Sequence, residues 1–220
     1  MKLVLASGSQ RRRELLTMCG YDYEIIVSNA DETIDENDPE SFVRALSFRK
    51  AKEVFDRLFA AGRRDFAVIG SDTVVAFQKD GETKPVIIGK PKDAKDAVRI
   101  LSMLSGKTHR VFTGVSVIAD IPDENAAAQC SIQEKAEIQT ECSITEVTFE
   151  TLSPDEITDY VNSGDPLDKA GSYGIQGPFG MFVREIRGNY FTVIGMPIPV
   201  LYKMLKKIGI LPHGFYERIE

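Results

Sequence analysis

Two apolar periods alternate along the chain, and their alternation predicts an α/β fold. Leu3 to Ala6 is a short apolar run that ends in the small-residue turn Ser7-Gly8-Ser9, and it reads as a strand. Leu15, Leu16, Met18 and Cys19 then recur at helical spacing, with Gly20 as the stop. Tyr23 to Val27 predicts a second strand. Asp38 caps and Pro39 opens a long helix lined by Phe42, Leu46, Ala51, Val54, Phe55 and Leu58, and Gly62 ends it. Phe66 to Ile69 predicts a strand running into Gly70-Ser71-Asp72-Thr73. Val74 to Phe77 and Val86 to Ile88 predict a hairpin about Lys79-Asp80-Gly81, and a helix follows from Asp93 to Leu104.

Strands dominate the second half. Arg110 to Ala119 is a β-branched run, and 120–131 reads as an exposed loop. From Ala136 to Phe149 the alternation changes phase. Ala136, Ile138, Cys142 and Ile144 share one parity while Val147 and Phe149 take the other, which predicts a bulge or bend near Thr145-Glu146. Ser153-Pro154-Asp155-Glu156 is a capping box opening a short helix that Gly164 ends. A glycine-rich loop, a strand pair (Met181 to Ile186, Tyr190 to Ile194) and a helix from Pro199 to Lys207 complete the pattern. No repeat and no linker-like break in composition interrupts it. The expectation is one α/β domain over residues 1–220, with a mixed, partly antiparallel sheet.

Composition narrows the function classes. A net charge of −6 argues against a nucleic-acid surface, and local arginine clusters in an acidic chain point to a small polyanion instead. Cys19, Cys130 and Cys142 are odd in number and lack C-x-x-C spacing, so neither a disulfide framework nor a zinc site is expected. The first apolar run is too short for a signal sequence and no later stretch spans a membrane, so a cytoplasmic setting with no membrane partner is expected.

Four places carry candidate chemistry. Arg11, Arg12 and Arg13 fall in the first turn of a helix, where the helix dipole disfavours cations by up to about 1 kcal/mol each. An anion would reverse that sign, because turn N–H groups, dipole and guanidinium forks would converge on it; the plainer alternative is a solvated basic face. Asp72 lies between two apolar strand runs, a setting for a metal-linked carboxylate or a water-activating base, and equally for a turn aspartate. In Asp165-Pro166-Leu167-Asp168-Lys169-Ala170-Gly171-Ser172-Tyr173-Gly174-Ile175-Gln176-Gly177 the glycines would admit a ligand close to backbone, and the Gln176 amide can read a base edge; a tight surface loop is the alternative. Gly89-Lys90-Pro91 places a lysine in a rigid turn, and alone it reads as solvated, as do Lys50, Lys52 and the acidic stretch about Glu32. Ser105-Gly106-Lys107-Thr108 is not a P-loop, since Leu101 stands where glycine is required, and His109 has no partner at metal spacing.

In order along the chain, Leu5-Ala6-Ser7-Gly8-Ser9-Gln10-Arg11-Arg12, Lys50-Ala51-Lys52, Gly70-Ser71-Asp72-Thr73-Val74-Val75, Gly89-Lys90-Pro91, Ser105-Gly106-Lys107-Thr108-His109 and the 167–177 segment resemble the Maf family, the septum-formation-associated nucleotide pyrophosphatases. Gln10 stands where the family usually has proline, and Ser71 where it often has alanine. The resemblance implies an inosine triphosphate pyrophosphatase-like fold, a long twisted mixed sheet flanked by helices, often as a homodimer. It implies hydrolysis of nucleoside triphosphates to monophosphate and pyrophosphate with a divalent cation, Mg²⁺ or Mn²⁺. By the same resemblance Asp72 is the proton acceptor, with Lys50 and Lys90 beside it as catalytic cations. Ser7, Arg11, Arg12, Thr73, Lys169 and Gln176 would bind substrate, and Glu32 with Asp72 would hold the metal. The Arg11–Thr73–Gln176 set implies pyrimidine substrates, dTTP, UTP and modified uridine triphosphates, where an aromatic–Gln–Glu set goes with 7-methyl-GTP. The alternative is a non-catalytic nucleotide-binding regulator of cell division; the intact Glu32, Asp72 and Lys90 favour the enzyme.

Overall fold

The computed structural model describes residues 1–78, 81–82, 84–121 and 136–214. Its centre is β3 (Phe66–Phe77), a twelve-residue strand with eleven buried positions. β1 (Lys2–Leu5) runs parallel to it, pairing with 66–69, and β2 (Glu24–Ile25) runs parallel to β1. β4 (Val86–Ile88) returns antiparallel along 75–77 of β3. On the other edge β5 (Thr108–Asp120) pairs antiparallel with 67–76, followed outward by β6 (Ala136–Phe149) and β7 (Val183–Arg187). The sheet order is therefore β2-β1-β3-β5-β6-β7, with β4 beside β1 on the same edge of β3. Between those two neighbours, residues 70–74 pair only with β5 among the described strands, and the edge left there faces a cleft.

Helices cover both faces of the sheet. α2 (Pro39–Ala60) lies on the even-numbered face, burying Val43, Ala51, Val54 and Phe55 against Val4, Phe66, Val68, Val74 and Phe112. Asp38 caps it, accepting from Ser41 N–H at 2.9 Å, as the sequence pattern requires. Its backbone rests directly on the strands. A Cβ on Gly70 would stand 2.1 Å from the Ser47 carbonyl oxygen, and one on Gly114 2.1 Å from that of Val43. α1 (Gln10–Met18) and α6 (Ile198–Lys207) cover one half of the odd face, on Leu3, Leu5, Ala67, Ile69 and Val117. α3 (Ala94–Leu104) and α4 (Pro154–Asn162) cover the other half, with Tyr173 and Phe179, on Val75, Phe77, Val147 and Phe149.

Several expectations are corrected. Phe66–Ile69 and Val74–Phe77 are not two strands but one, so Asp72 is a strand residue and not a turn aspartate. The second strand shrinks from 23–27 to Glu24–Ile25. Tyr190–Ile194 is no strand but a short helix, α5, because the Asn189 side chain accepts from Phe191 N–H at 2.8 Å and caps it; β7 pairs with β6 instead. The register through Thr145-Glu146 is continuous, and the irregularity lies between Thr148 and Phe149. The phase change in β6 has another cause. Ala136 and Cys142 pack beneath α2 on one face, whereas Val147 and Phe149 pack on the other, so the covered face switches along the strand. The hairpin tip at Lys79-Asp80, residues 122–131 of the expected loop and Cys130 lie outside the described residues.

Candidate active site

All ten residues singled out from sequence border one cleft of about 1530 Å³ beside the open edge of β3. One wall is the start of α1. Ser9 caps the helix without a side-chain bond and no acid occupies the first turn, so neither the cap nor the first turn offsets the N-terminal dipole. Arg12 is held rigidly: Nε donates to the Gly195 carbonyl at 2.9 Å, Nη1 to Ser7 Oγ at 3.1 Å and Nη2 to Thr73 Oγ1 at 3.4 Å. All three acceptors are neutral. Burial lowers the Arg12 pKa from its ordinary value and the field of Asp72 opposes that drop. A cation so placed attracts an anion, which satisfies charge and geometry together. Two further contacts brace the cradle, Ser71 Oγ donating to the same Gly195 carbonyl at 3.0 Å and Thr73 Oγ1 pairing with Thr113 Oγ1 at 3.0 Å. Arg11 instead reaches Asp168 Oδ2, at 3.3 Å.

The opposite wall is acidic with one lysine at its centre. Asp72 sits on the face of β3 that looks toward α2, where the close approach at Gly70 brings Lys50 within reach. Lys50 Nζ donates to Asp72 Oδ1 at 2.7 Å and lies 3.0 Å from Glu32 Oε1, with Lys50 and Asp72 both 12 % exposed. Lys50 is thus no solvated surface lysine. The Glu32 loop is tied to α2 by Arg49, whose Nη1 donates to the carbonyls of Asp31 and Thr33, at 2.8 Å each. Among the described residues no group of three or more His, Cys, Asp or Glu could hold a metal ion by itself. Glu32 and Asp72 converge there on one point, Lys50 Nζ.

The third wall is the 165–177 segment, which folds as short 3-10 turns at Asp165–Asp168 and Ala170–Ser172. Gly171 has φ +73°, and a Cβ there would lie 2.6 Å from Val75 Cγ2, so this position needs glycine. Its N–H donates to the Gly89 carbonyl at 3.0 Å, anchoring the segment at the end of β4 next to the exposed Lys90. Gln176 is exposed at the cleft.

The family model for Maf-like proteins matches residues 2–208. The chain belongs to the Maf family. Curated relatives include the dTTP/UTP pyrophosphatase of Agathobacter rectalis, 39% identical over 95% of this chain and 98% of the relative. The dTTP/UTP pyrophosphatase of Bacillus thuringiensis subsp. konkukian is 42% identical over 95% of this chain and 96% of its own. The solved Ham1 protein of Staphylococcus aureus aligns with 94% of this chain and 100% of that one, at a TM-score of 0.50 and 14% identity. At that identity the likeness is one of fold, and it bears out the expected inosine triphosphate pyrophosphatase-like architecture.

Within this Maf-family cleft, sequence reasoning missed Arg49, Asp168 and Gly195. Arg49 reads as one more cation on a basic helix, and its acceptors are carbonyls, which carry no sequence signal. Gly195 was masked by reading 190–194 as a strand, although a glycine directly after a capped helical turn marks a stop.

Proposed function

We propose that this protein hydrolyses nucleoside triphosphates to the monophosphate and pyrophosphate, with dTTP, UTP and modified uridine triphosphates preferred. The observation that carries the reading is the pairing across one cleft of a rigid guanidinium, bonded among the described residues to three neutral oxygens, with a carboxylate held on a lysine. The first is a place for a polyphosphate, the second a place for a water. The relatives named dTTP/UTP pyrophosphatase support the same reading.

In this mechanism Arg12, Ser7 and the α1 N-terminus orient the phosphate chain. Asp72 takes a proton from a water aimed at the α-phosphorus. Lys50 fixes the Asp72 carboxylate, and Lys90, from the turn after β4, offsets charge that develops on the departing pyrophosphate. Glu32 and Asp72 fit a divalent cation: two carboxylate oxygens from separate elements, with the remaining positions left to phosphate oxygens and water, are the donor set Mg²⁺ or Mn²⁺ prefers. Bound there, the cation would neutralise phosphate charge. At the other end Gln176 offers both a donor and an acceptor to the O–C–N(H)–C–O edge of uracil or thymine. Thr73 acts on the substrate through Arg12, to which it is bonded.

The test is pyrophosphate release from a panel of triphosphates with and without EDTA. The expected result is release that EDTA abolishes, with kcat/KM for dTTP or UTP at least about tenfold above that for 7-methyl-GTP, because an amide that a bound base covers but leaves misfaced costs about 1–3 kcal/mol. Tight nucleotide binding without release would favour the non-catalytic regulator.

A further inference from the structure

A chain of polar contacts runs along the 165–177 wall of the cleft, backed by Tyr160, and has no role in the hydrolytic steps set out above. The Tyr160 hydroxyl, on α4, donates to Asp165 Oδ2 at 2.6 Å and accepts the Gly174 N–H at 3.1 Å. Lys169 Nζ donates to Asp165 Oδ1 at 3.0 Å, to the Asp165 carbonyl at 2.6 Å and to Asp168 Oδ1 at 2.7 Å. Asp168 Oδ2 then accepts from Arg11 at 3.3 Å. The chain begins two residues before Gln176 and ends on Arg11 at the start of α1.

Four features show that this chain fixes geometry. An ammonium has three donors, and all three of Lys169's are met inside the segment, so Lys169 is occupied in holding the turns and not in gripping phosphate. A Cβ on Gly174 would lie 2.6 Å from Lys169 Cε, so the backbone leading to Gln176 lies against that pinned side chain. Burial, reinforced by the bond to Asp165, raises the Tyr160 pKa and keeps the hydroxyl protonated, so it donates to Asp165 while a lone pair accepts the Gly174 N–H. Asp168 stays below the ordinary carboxylate range: burial would raise it, but Lys169 and Arg11 outweigh that.

We propose that Tyr160 and Asp165 are positioning residues for nucleobase selection, setting through Gly174 and Lys169 the distance at which Gln176 faces Arg11 across the base end of the cleft. The inference rests on the pyrophosphatase reading only in taking Gln176 as the base-facing group. Pre-ordering a reading group lowers the entropy lost on binding, so loosening it weakens recognition of the base and spares the phosphates.

Tyr160→Phe removes both hydroxyl contacts without changing charge, and Asp165→Asn keeps an acceptor for Tyr160 but removes the charge facing Lys169. Calorimetry with a non-hydrolysable UTP analogue and with inorganic tripolyphosphate, alongside kcat and KM for UTP and GTP, separates base from phosphate recognition. In both variants the analogue's affinity should fall about fivefold or more while that of tripolyphosphate stays within about twofold. KM for UTP should rise with kcat little changed, and the UTP-to-GTP ratio of kcat/KM should fall by the same factor. Equal losses for analogue and tripolyphosphate, or an unchanged UTP-to-GTP ratio, would overturn the inference. If thermal melting shows Tyr160→Phe unfolded, Asp165→Asn decides alone. Absence of pyrophosphate release from the unaltered protein would overturn the hydrolytic reading only, and the two affinities would still decide this one.

Discussion

Arg12 and Asp72 are each defined by what they touch. Arg12 meets three neutral oxygens, so its charge is available to substrate. Arg12→Ala should weaken triphosphate binding by about ten- to a hundredfold, as loss of a charge-assisted contact worth about 1.5–3 kcal/mol implies, and leave nucleoside binding nearly unchanged. Equal losses by calorimetry would move Arg12 off the phosphates. Asp72 accepts from Lys50, and an asparagine oxygen can still accept there. Asp72→Asn should therefore fold normally yet lose about 10²–10⁴-fold in turnover. A variant keeping more than a tenth of kcat would refute the base assignment. Asp72 was legible because a carboxylate among apolar strand residues needs an explanation. Lys50 was not: a lysine on a long helix is usually solvated, and the acid that buries this one is 22 positions away. Lys169 was legible as a functional cation but not as one whose donors are all satisfied locally.

Two glycines decide where α2 sits. At Gly70 and Gly114 the strands present no Cβ, and the helix backbone descends into the space, which brings Lys50 to Asp72. Gly70→Ala should force α2 outward, because the added atom would meet the backbone of Ser47 and Ala51 and not a movable side-chain tip. Overpacking of this kind costs about 3 kcal/mol. That is a loss of roughly 6–12 °C in Tm for a chain of this size, measurable by thermal melting together with a drop in turnover. An unchanged Tm would show that the helix has slack. Most elements were readable because their apolar period and caps agree, as in α2 with Asp38-Pro39 and α4 with its capping box. α5 was not, since five residues hold too few periods to tell a helix from a strand and only the Asn189 cap decides. The phase change in β6 was visible as a pattern, but its cause lies in which neighbours cover each face, and that belongs to the tertiary arrangement.

The assembled molecule carries a built-in acid sensitivity at His109. The ring is 2 % exposed, packs edge-on against Phe149 and Tyr173, and pairs through Nε2 with the Tyr173 hydroxyl at 3.0 Å. Burial lowers its pKa from 6.5 to about 3. Above pH 6.5 both folded and unfolded chains hold the ring neutral and it has no effect. Below that, only the unfolded chain takes the proton, so stability falls with pH until about 3, by up to about 1.4 kcal/mol per pH unit. Denaturant titrations of His109→Gln should show a slope between pH 6 and pH 4 that is shallower by nearly one proton, and an identical slope would place the sensitivity elsewhere. A different consequence follows from the bond between Arg12 and Gly195, which joins positions 183 residues apart. The ribosome delivers Gly195 183 residues after Arg12, roughly 10–40 s later at ordinary elongation rates. Throughout that interval the carbonyl that seats both Arg12 and Ser71 does not yet exist, so the cradle around Arg12 is completed only after Gly195 has been made.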